Sequence, residues 1–522
     1  MKKVIFPKDW IQLQPYDVAD MTDQYYTSLA NQIYEIIMSF GYAKYFDQKD
    51  EVKHLALCIA AYFEDVISQT KIWETFTEEC KRRYGKYIPF YTDESTEYYS
   101  DEINEADIKF LLWHHAQYRI MDTQVLYPIF GRLNFVAHEI FTLLEKEYET
   151  APENERFHNA ICNEDGVDTD LDRYRELLIW FHNYCFFNIG NLDRVREQIT
   201  ASMEKDSESY NDIEDFQMMT TSACIDSIVE GRYNLLSLTT LEWFKMISKK
   251  HPKCQVWAEV EIQTGVFEVK KEKKDLFVIK NLVNDNAKDV TLIKETLPAQ
   301  LIASFQKKKA VHITTFIKFG EHWVNTGNCM TPEIKSKSDL EKMQSLVLEE
   351  RNLHIHKQSI ANYNILKNVL KGIADNPIIV ASNGKTMENF FAKKLGIKLK
   401  IMTPPQFANK LGVVVVGTPY IGIVPYFGVA ELLAMPNNDF YKKDVAEKRA
   451  CDIITNASSL PYEMVCRLID IGALKDAALE TTGSTRQDWE DSHRLTQDNI
   501  QFITDYHFQK CRDKDMPPKE LW

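Results

Sequence analysis

The stretch Cys254-Gln255-Val256-Trp257-Ala258-Glu259-Val260-Glu261-Ile262-Gln263-Thr264-Gly265-Val266-Phe267-Glu268-Val269 is where the hydrophobic period of the chain changes. Upstream of it, apolar residues recur every three or four positions. Here Val256, Ala258, Val260 and Ile262 alternate with Trp257, Glu259, Glu261 and Gln263, which is the period of a half-buried strand. Gly265 breaks the run and Val266–Val269 resumes it; Leu276–Ile279, Val290–Ile293 and Val311–Phe319 add further short β segments. About five strands in roughly 75 residues predict a small antiparallel β-barrel, SH3-like or OB-like, over residues 254–330. The lysine runs at 270–274 and 307–309 fall in its loops.

On the N-terminal side, residues 1–250 read as an all-helical, acidic domain. Asp20 or Thr22 caps a segment in which Leu29, Ile33, Ile36, Ile37 and Phe40 share one face, and Val52, Leu55, Ile59, Phe63 and Val66 form the next stripe. Leu178–Phe187 is apolar nearly all round, which predicts a central helix. On the other side, residues 335–522 read as an α/β domain with C-terminal helices. Ile378–Val380 is a strand, 382–386 a loop, Met387–Lys394 a helix and Lys398–Met402 a second strand. Val413–Val416 and Tyr420–Val424 follow as a hairpin, then helices over Phe440–Thr455, Pro461–Ile471 and Gln497–Cys511. The fold class expected is therefore multidomain α+β.

Charge separates the halves. Of the formal −15, residues 1–250 hold −19, from 25 Lys and Arg against 44 Asp and Glu, which leaves +4 for the rest. That balance disfavours general nucleic-acid binding by the helical half. The ten cysteines have no metal-clamp spacing, and Cys58, Cys185 and Cys466 sit inside apolar helical patterns, as buried reduced thiols do. No signal-peptide stretch precedes Lys8 and Asp9, so a cytoplasmic location is expected. The 20 uncharged residues between Lys410 and Glu431 are long enough to cross a bilayer, but four glycines and two prolines break them, and no membrane partner is expected.

No complete catalytic or ligand motif is present. Ser382-Asn383-Gly384-Lys385-Thr386 is the tail of a phosphate loop without its head, because Ile379 stands where the first Gly is needed for backbone N–H groups to wrap a phosphate. Capping of the next helix explains it more simply; Asn383, Gly384, Lys385 and Thr386 remain the weak ligand candidates. Glu51-x-x-His54 and Glu155-x-x-His158 share the spacing of ferritin-like bundle ligands. Chance matches are expected among 13 His and 77 acidic residues, and of the adjacent pair His114-His115 only one can face a given point. Neither metal nor cofactor is expected. Asp165, Asp168, Asp170 and Asp172 fail as a calcium loop, because Arg173 replaces the essential Gly. In the barrel, Trp257, Phe267, Phe316, Phe319 and Trp323 lie among lysines, the ingredients of a base-stacking platform, with Trp323 the candidate exposed ring. Filling a small barrel uses the same rings.

Three phrases carry a resemblance: Asp9-Trp10-Ile11-Gln12-Leu13-Gln14-Pro15-Tyr16 with Thr22–Tyr26, Ala151-Pro152-Glu153-Asn154-Glu155, and Pro461-Tyr462-Glu463-Met464-Val465-Cys466-Arg467-Leu468. Together the sequence resembles a family of Bacteroidetes-type cytoplasmic proteins known as a domain of unknown function, nearly end to end. The resemblance implies no activity, cofactor or catalytic residue. The leading expectation is a non-enzymatic multidomain interaction protein with a protein partner. Its rivals are an enzyme or phosphate/nucleotide-binding protein using the 382–386 loop, and single-stranded nucleic-acid binding through the barrel.

Overall fold

The structure is a computed structural model that describes most of residues 3–40, 49–120, 126–189, 228–351, 378–395, 412–449 and 485–506. It is mixed helix and sheet, with helices filling the N-terminal half. These are α1 (Pro7–Ile11), α2 (Met21–Ser39), α3 (Lys49–Ile67), α4 (Ile72–Tyr84), α5 (Glu105–Ile120), α6 (Leu133–Glu147), α7 (Glu155–Cys162), α8 (Leu171–Tyr184) and α9 (Thr240–Ser248). Asp20 is the cap of α2, accepting from Thr22 N at 2.8 Å and Asp23 N at 3.1 Å while Asp23 reaches back to Asp20 N. Asp170 caps α8, accepting from Asp172 N and Arg173 N. Fully buried Trp73 of α4 sits amid aromatic rings, with Phe76 at 4.8 Å, Tyr62 at 5.3 Å, Phe186 at 6.0 Å and Phe110 at 6.1 Å between centroids.

At the period change the chain makes one helical turn, α10 (Gln255–Ala258), before β1 (Glu261–Glu272). The alternation from Val256 misleads because Trp257 and Ala258 are both buried, which successive strand residues facing opposite sides of a half-exposed sheet would not be. Gly265 does not break β1. A Cβ there would stand 2.8 Å from Asn281 Oδ1, the oxygen that accepts from Val283 N and Asn284 N, so glycine makes room for this turn.

After β1 come β2 (Leu276–Asn281), β3 (Val290–Ile293), α11 (Ala299–Phe305), β4 (Val311–Phe319) and β5 (His322–Met330). The strands close on themselves in the order β1-β2-β3-β5-β4, with bulges at Val269/Lys271 and Thr314/Phe316. The expectation of wholly antiparallel pairing is corrected at one joint: β3 meets β5 in parallel, Leu292 opposite Trp323. The cause is α11, which carries the chain across before the β4–β5 hairpin returns it.

The barrel has its own small core of Phe267, Phe277, Ile279, Val290, Leu292, Leu297, Phe305 and Phe316. Its other side joins the helical core. Tyr174 of α8 meets Phe319 at 5.2 Å and Trp257 at 5.9 Å, Phe244 of α9 meets Trp257 at 5.8 Å, and Lys245 Nζ donates to Val260 O at 2.8 Å.

Beyond α12 (Lys337–Arg351), a second sheet contains β6 (Ile378–Ala381), β7 (Val413–Thr418) and β8 (Gly422–Phe427), with α13 (Gly384–Leu395) after β6. In this sheet β6 and β7 pair antiparallel. The strand expected at 398–402 lies almost wholly outside the described residues, as do most of the helices expected over 440–455 and 461–471. The last helices, α14 (Arg486–Asp498) and α15 (Ile500–Tyr506), pack into the N-terminal body. Trp489 meets Tyr127 at 4.1 Å, Tyr84 OH donates to Asp505 Oδ2 at 2.6 Å, and His114 Nδ1 is 2.8 Å from Tyr506 OH. Among the described residues no helix is long and apolar enough to cross a membrane.

Candidate functional site

The 382–386 loop is an exposed helix start. Asn383 Oδ1 accepts from Thr386 N at 2.9 Å and from Thr386 Oγ1 at 3.1 Å, so Asn383 rather than Thr386 is the cap. Gly384 is buried as the first residue of α13, and exposed Lys385 pairs with Glu388 at 3.3 Å. The rule placing ligands at strand carboxyl ends belongs to parallel sheets, and β6 is antiparallel to its neighbour.

In the barrel, Trp257, Phe267 and Phe316 are fully buried, Phe319 is nearly so, and Trp323 is half-buried against the barrel core. Most of these rings therefore fill interiors, as expected of a small barrel, and Trp323 keeps part of its surface exposed. The lysines differ from one another. Lys270 pairs with Asp289 at 2.6 Å and Lys294 with Glu272 at 2.7 Å. Lys271, Lys273 and Lys274, at the exposed β1–β2 turn, make no ion pair among the described residues. None of these lysines serves the seam with the helical body, which is aromatic.

Two buried polar centres lie on α3 and its C-terminal turn. Fully buried Glu64 accepts from Gln14 Nε2 at 2.8 Å and Asn154 Nδ2 at 2.7 Å, and burial pushes its carboxyl up to about 8. Next to it, Gln69 (φ 55°) and Lys71 (φ 61°) lie in the left-handed region. Their turn exposes carbonyls that His158 and His251 cover: His158 Nδ1 is 2.6 Å from Ser68 O and His251 Nε2 is 2.9 Å from Thr70 O. Cys162 Sγ lies 3.6 Å from the first nitrogen and 3.7 Å from the second. A cysteine beside two histidines suggests a nucleophile, but both nitrogens carry their protons toward carbonyls, and burial pushes the thiol up to about 12. The arrangement locks a turn. Beside it a cavity of about 190 Å³ is lined by Ser68, Gln69, Glu153, Glu155, His158 and Asn159.

A third cluster joins two helices. His54 and Cys58 share a face of α3 one turn apart, Sγ to Nδ1 3.6 Å, and His115 of α5 faces them, its ring 5.5 Å from that of His54. Ligand atoms of all three lie within 4.8 Å of one another. Cys58 and His115 are buried and His54 is half-buried. His114 points elsewhere, its nitrogens near Tyr506 OH and Phe187 O. The expectation that one of the pair at most could face a site holds for this geometry.

The model of the DUF3843 family, described as a protein of unknown function, matches residues 4–377 and 345–509. The chain belongs to that family. No curated protein and no solved structure matches it. The family's description carries no activity, so any function has to be argued from the geometry. Sequence reasoning singled out His54 and His115 but did not join them to Cys58, because only the packing of α3 on α5 brings them together.

Proposed function

We propose that the chain is a non-enzymatic, cytoplasmic, multidomain interaction protein, in which an OB-like barrel is held on a helical body and offers its β1–β2 turn to an acidic protein segment. The strand order with a helix between β3 and β4 supports an OB-like barrel over an SH3-like one, and turns of that position are used for binding in OB-folds. The observation that carries the reading is the division of labour in the barrel: rings inward, Lys271, Lys273 and Lys274 outward. A protein partner fits this better than single-stranded nucleic acid, which needs exposed rings to stack on.

Fluorescence anisotropy on the full chain tests it, with a labelled poly-glutamate peptide and labelled single-stranded DNA and RNA at low and moderate salt. Peptide binding that disappears when Lys271, Lys273 and Lys274 are all changed to Glu supports the reading. No peptide binding, or tighter binding of the oligonucleotides, overturns it.

A further inference from the structure

The cluster of His54, Cys58 and His115 has no part in that reading. Three side chains with nitrogen or sulfur ligand atoms converge where α3 crosses α5, flanked along the two helices by buried Leu55, Ile59, Leu111 and Leu112. Ligand atoms on buried side chains feel stronger electrostatic attraction than they would in water.

We propose that His54, Cys58 and His115 bind a divalent transition ion of the zinc class. A tetrahedral zinc centre with metal–nitrogen bonds of about 2.0 Å and metal–sulfur bonds of about 2.3 Å has nitrogen–sulfur edges of about 3.5 Å. The Cys58 Sγ to His54 Nδ1 separation of 3.6 Å already matches such an edge. The limit of 4.8 Å on all three atoms leaves only a small rotation for the rest to close on one ion. Two imidazoles and a thiolate select zinc or its neighbours over calcium and magnesium, which take oxygen ligands. Binding converts the Cys58 thiol to a metal-bound thiolate and releases its proton to solvent.

Cys162 serves as the control thiol. That thiol also lies near two imidazoles, but the nearest nitrogens of His158 and His251 point to the Ser68 and Thr70 carbonyls and have no lone pair for a metal.

The test is a cobalt titration of the chelator-stripped full chain. Expected is one equivalent bound, with a thiolate-to-cobalt charge-transfer band in the near ultraviolet, tetrahedral bands in the visible, and displacement of both by zinc. Cys58→Ser should remove the charge-transfer band and Cys162→Ser should leave it. His54→Gln, at a half-buried position that spares the fold, should weaken affinity by at least the about 10–100-fold known for second-sphere changes. Circular dichroism confirms folding, and if Cys58→Ser fails to fold, His54→Gln decides. No band in the folded wild type, a band surviving Cys58→Ser, unchanged affinity in His54→Gln, or loss of the band in Cys162→Ser would each overturn the assignment.

Discussion

The helical body and the barrel both bury titratable groups whose charged forms burial disfavours, but groups of opposite kind. In the body, burial pushes Glu64 up to about 8 and Asp65 and Asp107 up to about 6, so that each carboxyl tends to keep its proton. In the barrel, burial pushes His312 down to about 4, with Lys307 adding to the effect, so the imidazole gives its proton up. One physical cause, the cost of taking charge out of water, therefore gives the two regions opposite responses to pH. They differ in packing as well. The body's core runs from Ile5 to Tyr506 and takes in Ile317 and Phe319 of the barrel, whereas the barrel's own core is eight residues.

The largest effect expected tests whether those cores are separate. Trp73→Ala removes a ring from the centre of the body and should cost about 3–5 kcal/mol, with faster hydrogen exchange throughout α3, α4 and α5. Phe277→Ala should cost a comparable amount locally but confine faster exchange to β1–β5. If Phe277→Ala opens α8 and α9 as much as β2, body and barrel unfold as one unit and the comparison fails.

Next in size is the body's pH response. A carboxyl whose folded pKa is above its unfolded value near 4.5 binds more protons when folded, so stability falls as pH rises from about 4.5 to about 8. Glu64 alone accounts for up to about 4 kcal/mol over that window, and Asp65 and Asp107 add the same sign up to about 6. Denaturant unfolding at pH 5 and pH 8.5 should show the loss, and Glu64→Gln should flatten most of it. Stability that rises over this range would mean that the carboxylates are ionised at little cost.

The barrel should move the other way. His312 has a folded pKa below its unfolded value near 6.5, so the unfolded state binds the extra proton and barrel stability rises as pH goes from about 4 to 6.5. The gain is up to about 3 kcal/mol. Exchange of β4 amides, corrected for intrinsic rates, should slow over that interval in wild type and not in His312→Gln. Equal slowing in both would place the response elsewhere.

The same contrast governs what was legible in the sequence. Helices of the body could be read because Leu29, Ile33 and Ile37 repeat at helical period behind an aspartate cap, signals that lie within one segment. The barrel's strands could be read from local alternation too, but not their ring order or the parallel β3–β5 joint, which depend on where α11 lays the chain. The turn at Gln255–Ala258 was lost because four residues are too few for a helical period to show. Likewise Asn383 rather than Thr386 caps α13, a choice that depends on one side-chain orientation. The His54–Cys58–His115 cluster was invisible as a unit, since His115 lies about sixty positions beyond the other two and meets them only through packing of α3 on α5.

The smallest effect expected lies on the seam between the two regions. Tyr174 is fully buried there, its ring against Phe244, Trp257 and Phe319, and its hydroxyl has no hydrogen-bond partner among the described residues. A buried hydroxyl that lost its water partners on folding costs about 1–3 kcal/mol, so deleting the oxygen while keeping the ring should recover part of that. Tyr174→Phe should therefore be neutral or stabilising by up to about 1 kcal/mol, a small rise in melting temperature. Tyr174→Ala, which empties the seam, should cost about 3–5 kcal/mol and free the barrel from the body in hydrogen exchange. If Tyr174→Phe instead destabilises by 1 kcal/mol or so, the hydroxyl is bonded to a trapped water. The joint would then be a wet, polar contact, and the aromatic seam would no longer be what holds the barrel in place.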